Sequence, residues 1–405
     1  MTDRSLPPGL HRDTLAVRTA LERSQYGENS EALFLTSGFV QSDAATSARR
    51  FAGTEEGFTY SRTSNPTVAS FEQRLAALEG TEAAIAASSG MGAILMMCMG
   101  LLRAGDHVIC SRSVFGSTLN LFGKEFAKFG VETSFVSQTD VAEWRAAVRP
   151  GKTKLFFAET PTNPLTEVCD IRALADLAHD AGALLAVDNC FCSPALQQPT
   201  EFGADLVIHS GTKYLDGQGR VMAGAICGPS KLIVDVFGPI VRTAGMVLAP
   251  FNAWVVLKGM ETLGIRMQAQ SANALAVAQW LEGHPAVTRV HYPGLASHPQ
   301  HELAMRQQSG LGGAVVSFDV RGSDPETARQ NAFHVIDSTR VVSIATNLGD
   351  TKTIITHPGT TSHGRLTEAQ RQAAGIGQGL IRFAVGLDHI EDIKADLLRG
   401  LDTLA

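Results

Sequence analysis

Between Glu82 and Cys227 the chain alternates short apolar runs with stretches of helical periodicity, and few folds accept that rhythm. Ala83 to Ala87, His107 to Cys110, Glu132 to Val136, Lys154 to Ala158 and Ala183 to Val187 read as strands, with helical stretches between most of them. Ala204 to Ile208 and Met222 to Cys227 continue the series on either side of a loop that carries a lysine. Such alternation predicts an α/β fold with a mostly parallel sheet covered by helices on both faces. Open α/β sheets take their ligands at the carboxyl ends of the strands. The residues just past each apolar run are therefore the candidates for function.

The flanking segments read differently. Residues 1–63 are irregular and carry no long amphipathic period, as expected of an arm that packs on a neighbouring subunit. Asn65 and Pro66 form a cap and first helical residue, and Val68, Phe71, Leu75 and Leu78 recur at helical spacing until Gly80. Asn252 to Leu281 reads as one long helical region linking two domains. Beyond it Val287 to Tyr292, Val315 to Val320, Val341 to Ala345, Thr353 to Thr356 and Leu380 to Val385 are strands among helices, a smaller α+β unit. A length of 405 residues also exceeds what one core usually organises. The expected division is an arm (1–63), a large domain (64–260) and a C-terminal α+β domain (261–405).

A formal net charge of -6 offers no basic stripe for nucleic acid and no polybasic membrane patch, which leaves small molecules and copies of the chain as partners. The N-terminus lacks the apolar core of a signal peptide, and Gly92 to Leu102 is too short to span a bilayer. Six cysteines spread through the chain, most of them in apolar runs, fit reduced core thiols and a cytoplasmic setting. Cys190 and Cys192 are one residue apart, not two, and His298 to His301 reads as a solvated helix start. No metal site is expected.

Lys213 follows the apolar run Ala204 to Ile208 through His209, Ser210, Gly211 and Thr212, in a chain with only nine lysines. A lone lysine is most often a surface residue. Placed in a low-dielectric pocket it loses basicity and becomes a nucleophile or Schiff-base former. Asp188 ends another apolar run, where a carboxylate needs a cap, a metal or a protonated nitrogen as partner. Ser89, Gly90 and Met91 lie between a strand and an apolar helix, an arrangement equally suited to a tight turn or to an anion held by backbone amides. Glu159 to Pro164 follows a further strand. Tyr60 and Arg62, two apart in an extended segment, point the same way and suit a phosphate or plain solvent. Arg382 stands among Leu380, Ile381, Phe383 and Val385, company in which a guanidinium needs an anion. Asn347 belongs to a loop signal near it.

A strand-end lysine, a strand-end carboxylate, hydroxyls, a glycine turn on a helix and a lone arginine make the inventory of a pyridoxal 5'-phosphate enzyme acting on an amino acid. The motifs Tyr60-Ser61-Arg62, Ser89-Gly90-Met91, Glu159-Thr160-Pro161-Thr162-Asn163-Pro164, Val187-Asp188-Asn189 and Ser210-Gly211-Thr212-Lys213 resemble the Cys/Met-metabolism branch of fold-type I pyridoxal phosphate enzymes. Within it the chain is most similar to the O-succinylhomoserine sulfhydrylases. The resemblance implies that Lys213 is the Schiff-base lysine and Asp188 the pyridine partner. It implies that Ser89, Gly90, Met91, Ser210 and Thr212 hold the phosphate, with Tyr60 and Arg62 reaching it from a neighbouring subunit. It further implies that Phe115 stacks on the ring, Asn163 lies near the phenolic oxygen, and Asn347 and Arg382 hold the substrate carboxylate. Relatives of this branch are typically homotetramers built from dimers.

Departures narrow the reaction. Many relatives have a tyrosine where this chain has Phe115, and methionine γ-lyases have a cysteine where it has Ser117. A phenyl ring cannot move protons, which leaves that task to Lys213. Phe115-Gly116-Ser117 and Thr360 to Arg365 resemble the sulfhydrylase subgroup. The expected reaction is γ-replacement: O-succinyl-L-homoserine and sulfide give L-homocysteine and succinate, a step of methionine biosynthesis. Cystathionine γ-synthase and cystathionine or methionine γ-lyase chemistry are the alternatives within the branch.

Overall fold

The computed structural model describes residues 6–364 and 366–404, so Arg365 of the Thr360 to Arg365 motif lies outside the described residues. Seven strands form the larger sheet: β1 (Ala83–Ala87), β2 (His107–Ser111), β3 (Glu132–Val136), β4 (Thr153–Glu159), β5 (Leu184–Asp188), β6 (Leu206–Ser210) and β7 (Gly224–Gly228). Their order is β1-β7-β6-β5-β4-β2-β3, with β7 antiparallel to both neighbours and every other pair parallel. The expected mostly parallel sheet is present, and each strand falls within two residues of its sequence-derived position.

Both faces of the sheet are dry. Leu155 and Phe157 of β4 join one apolar cluster with Val108, Ile208 and the helix Gly90–Leu101. Phe156 and Ala158 join another with Trp144 and the helix Ile171–Asp180. Each fully buried side chain of this size contributes roughly 1.5–3 kcal/mol, which fixes the register and with it the strand ends.

The smaller sheet comprises β8 (Val287–His291), β9 (Val315–Val320), β10 (Ser343–Ile344), β11 (Ile354–Thr356) and β12 (Leu380–Ala384) in the order β10-β11-β12-β9-β8. Only β10 and β11 pair in parallel. Its core includes Val316, Phe318, Ile381 and Phe383 against Ile393 and Leu397.

The expected helical region over 252–281 consists of two helices, Pro250–Met260 and Leu263–Glu282, separated at Glu261 and Thr262. The break lets Arg266 Nη2 donate to the carbonyl of Gly259 at 2.8 Å and Lys258 pair with Glu261. The arm holds two short helices, Arg12–Arg18 and Ala44–Phe51, each capped by a side chain. His298 is buried, not solvated, and burial beside His291 and Arg289 lowers its pKa to about 4. All six cysteines are free thiols, and Cys190 alone is not fully buried. Among the described residues no helix is long and apolar enough to cross a membrane, and no cluster of ligands could hold a metal ion.

Candidate active site

The carboxyl ends of five strands of the larger sheet open on one cavity of about 380 Å³. After β1 come Ser89, Gly90 and Met91; after β2, Phe115; after β4, Asn163; at the end of β5, Asp188; at the end of β6 and just past it, Ser210, Thr212 and Lys213. Asn347 and Arg382 close it from the smaller sheet. All the predicted site residues line this cavity except Tyr60 and Arg62. A larger cleft of about 590 Å³ lies beside β8, lined by residues such as Arg112, Arg289 and His298, but it has no lysine or other strong nucleophile.

Each wall has a local cause. Ser89 caps the helix Gly90–Leu101 by accepting from Gly92 N at 3.1 Å, which turns the chain sharply and leaves the amides of Gly90 and Met91 without an acceptor among the described residues. Gly90 is needed there, since a Cβ would sit 2.8 Å from Ser210 Cβ. Ser210 Oγ has no partner among the described residues, whereas Thr212 Oγ1 accepts from Ala223 N at 3.1 Å. Two free amides at a helix N-terminus and an uncommitted hydroxyl form a cradle for an anion such as phosphate.

Asp188 accepts from Cys190 N at 3.0 Å. Burial raises its pKa to about 6, with the nearby His209, the Cys190 amide and Lys213 opposing the shift only in part. His209 is itself locked, with Nε2 2.5 Å from Glu79 Oε1 in a fully buried pair. A positively charged ring nitrogen beside Asp188 would favour the ionised carboxylate in the same way. Lys213 Nζ donates to Asn347 Oδ1. Burial lowers the Lys213 pKa, the Arg382 charge lowers it further, and Cys190 and Asp188 oppose the shift. The result is an amine closer to its neutral, nucleophilic form than a surface lysine.

Arg382 is 1% exposed. Its Nη2 donates to the carbonyls of Thr346 and Asn347 at 2.9 and 3.0 Å, its Nη1 to Asn163 Oδ1 at 3.2 Å, and its Nε has no partner. No carboxylate pairs with it among the described residues, and burial lowers its pKa to about 10. A buried guanidinium with only neutral partners and one orphaned donor fits an incoming carboxylate. The cradle, the lysine, the ring-nitrogen partner and this anchor together fit pyridoxal phosphate bearing an amino acid.

Tyr60 is 43% exposed and stacks under Arg62, whose guanidinium lies 5.3 Å from the ring centre and donates to the carbonyl of Arg242. Neither reaches the chain's own cavity. Among the lining residues that sequence reasoning left out are the polar side chains of Glu159, Thr118, Cys190 and Ser362. Glu159 had a readable signal, an acid closing an apolar strand as Asp188 does. Ser362 fell within the Thr360 to Arg365 motif, but no apolar run ends beside it to mark it as a wall of the cavity.

A family model described as Cys/Met metabolism PLP-dependent enzyme matches residues 13–402. An O-succinylhomoserine sulfhydrylase of Pseudomonas aeruginosa is 60% identical over 392 residues, covering 97% of this chain and 95% of that protein. An O-succinylhomoserine sulfhydrylase of Mycobacterium tuberculosis is 44% identical over 99% of this chain and 98% of its own length. Among solved structures, a Campylobacter jejuni protein provisionally assigned as an O-acetylhomoserine (thiol)-lyase, with a pyridoxyl-lysine phosphate in place, superposes with a TM-score of 0.91. It is 29% identical, with 97% of this chain and all of that chain covered.

Proposed function

Because the chain belongs to the Cys/Met metabolism family of pyridoxal phosphate-dependent enzymes, we propose that it exchanges the succinyloxy group of O-succinyl-L-homoserine for sulfide. The Cγ–O bond breaks, a Cγ–S bond forms, and L-homocysteine and succinate leave. The observation that carries this reading is 60% identity across almost the whole chain to an O-succinylhomoserine sulfhydrylase. Bound in the cavity, pyridoxal phosphate supplies an aldehyde for an amine and an electron sink beside the α-carbon.

The residues divide the remaining work. Arg382 and Asn347 bind the substrate carboxylate and orient the α-proton. Lys213 would act as the base at the α-carbon and then at the β-carbon, so that the γ-succinyloxy group can leave, and would return a proton to each carbon once sulfide has added, as a base of lowered pKa can do near neutrality. Asp188 holds a proton at the ring nitrogen. Phe115 lines the cavity where it would stack on the ring, and its lack of a hydroxyl leaves proton transfer to Lys213. Gly90, Met91 and Ser210 hold the phosphate, with Ser89 shaping the turn and Thr212 held against Ala223. Asn163 serves both Arg382 and the phenolic edge of the cofactor.

Tyr60 and Arg62 complete the phosphate site of a neighbouring copy. The arm supports that assignment: Tyr26, Leu35, Val40 and Phe51 are exposed apolar side chains, Val40 at 99%. A homotetramer of such dimers, working in the cytoplasm where the six free thiols stay reduced, is the assembly this reading implies. Steady-state assays with O-succinyl- and O-acetylhomoserine, each with sulfide and with cysteine, test it. Homocysteine formed fastest from the succinyl ester and sulfide is the expected result. Cystathionine as the dominant product, or ammonia released without any acceptor, would displace it.

A further inference from the structure

Glu159 ends β4 in register with Asp188 on β5. It is 4% exposed and forms part of the cavity wall. Both of its oxygens are committed to backbone: Oε2 accepts from Phe115 N at 2.8 Å and Oε1 from Asn163 N at 3.1 Å. Those amides belong to two different loops, one after β2 and one after β4. Asn163 continues the chain, because its Oδ1 accepts from Arg382 Nη1 at 3.2 Å.

A side chain that accepts at two separate atoms here has to be a carboxyl group. Glutamine would offer one acceptor and turn an NH2 against the second N–H. That requirement accounts for an acid kept where burial and the charge of Asp188 both push its pKa up. A buried acid with only a packing role would have no reason to bridge these two loops.

We propose that Glu159 is a positioning residue that ties the Phe115 loop to the Asn163–Arg382 pair and so sets how tightly the amino-acid carboxylate is held. The proposal rests on the reading of Arg382 as the carboxylate anchor. It predicts that removing one acceptor loosens one loop, displaces Asn163 or Phe115, and weakens substrate binding more than it slows the chemistry.

The test uses the cofactor-loaded enzyme for kinetics and the cofactor-free protein for amide hydrogen exchange. Glu159→Gln should raise KM for O-succinyl-L-homoserine about tenfold with kcat within about threefold of wild type. It should also speed exchange in the segment holding Phe115 or the one holding Asn163. Glu159→Asp, which keeps two acceptors on a shorter stem, should recover part of the loss and serves where the glutamine variant folds poorly. Asn163→Ala should raise KM similarly, and the double variant with Glu159→Gln should add little to the larger single effect. Wild-type KM and wild-type exchange in a folded Glu159→Gln protein, or fully additive effects in the double variant, overturn the proposal. If Arg382→Lys leaves KM unchanged, the anchor reading fails instead, while the exchange data still report on Glu159 alone.

Discussion

The amine of Lys213, in the loop after β6, donates to the side-chain oxygen of Asn347, in the loop between β10 and β11 of the smaller sheet. One bond thus joins the two sheets at the reacting atom. Arg382 holds the same loop through the carbonyls of Thr346 and Asn347. Lysine and anchor therefore share a neighbour, and a shift in either domain is felt at both.

Replacing Lys213 by alanine should leave a folded protein that still takes up pyridoxal phosphate through the cradle at Gly90 and Ser210. Turnover should fall by about 10³-fold or more, the scale of a lost general base. Rapid-mixing kinetics on the reconstituted variant measure it. A variant that retains most of its turnover removes Lys213 from the mechanism.

The lowered pKa of Lys213 has a consequence for stability. Between its folded-state value and the unfolded value of about 10.4, the unfolded chain binds the extra proton, so the stability of the cofactor-free protein rises with pH through that window. Below the folded-state pKa the buried charge costs stability throughout. Lys213→Met should therefore be more stable than the cofactor-free wild type at neutral pH, with the gap closing as pH approaches about 10. Urea denaturation of both proteins at several pH values gives the difference directly. A gap that widens with pH contradicts the assigned environment.

Gly349 holds the Asn347 loop against Lys213. Its φ is +83°, and a Cβ would lie 2.7 Å from Tyr214 N and 2.8 Å from the carbonyl carbon of Lys213. Backbone cannot move aside as a flexible side chain can. Gly349→Ala should cost roughly 1–3 kcal/mol of stability and lower turnover, because relief of the clash carries Asn347 away from the amine. Thermal unfolding and steady-state rates of the variant check both parts.

The strand ends made most of this site readable in the sequence. Lys213 and Asp188 stood out because each terminates an apolar run, and in a parallel sheet such terminations gather on one edge. Arg382 stood out by being charged among aliphatic neighbours. Glu159 carried the same signal as Asp188 and sits beside it in register, yet its bonds to Phe115 and Asn163 depend on loops whose course no local pattern specifies. The helix break at Glu261 and Thr262 was hidden for a related reason: neither residue is a glycine or proline, and the side-chain bond from Arg266 back to the Gly259 carbonyl that accompanies the break leaves no periodic mark in the sequence. His298 looked solvated because its partners come from β8 and not from its own segment.

Arg382 separates stability from function more sharply than any other residue of the site. Its guanidinium is buried, meets only neutral oxygens, and leaves Nε without a partner. Desolvating a cation costs several kcal/mol, and neutral acceptors return only part of it. The deficit is made up when a carboxylate arrives and forms the bidentate pair. Arg382→Met, which keeps the stem's volume without the charge, should therefore leave the substrate-free protein as stable as wild type or more stable by about 1 kcal/mol. The same change should raise KM for the amino acid by about 10²-fold or more, since the anchor is gone. Arg382→Lys should restore little, because a point charge on a shorter reach cannot make the paired contact. Denaturation curves and saturation kinetics on the two variants decide the matter. A methionine variant that is strongly destabilised, with substrate affinity intact, would make Arg382 a structural residue and move the carboxylate site elsewhere in the cavity.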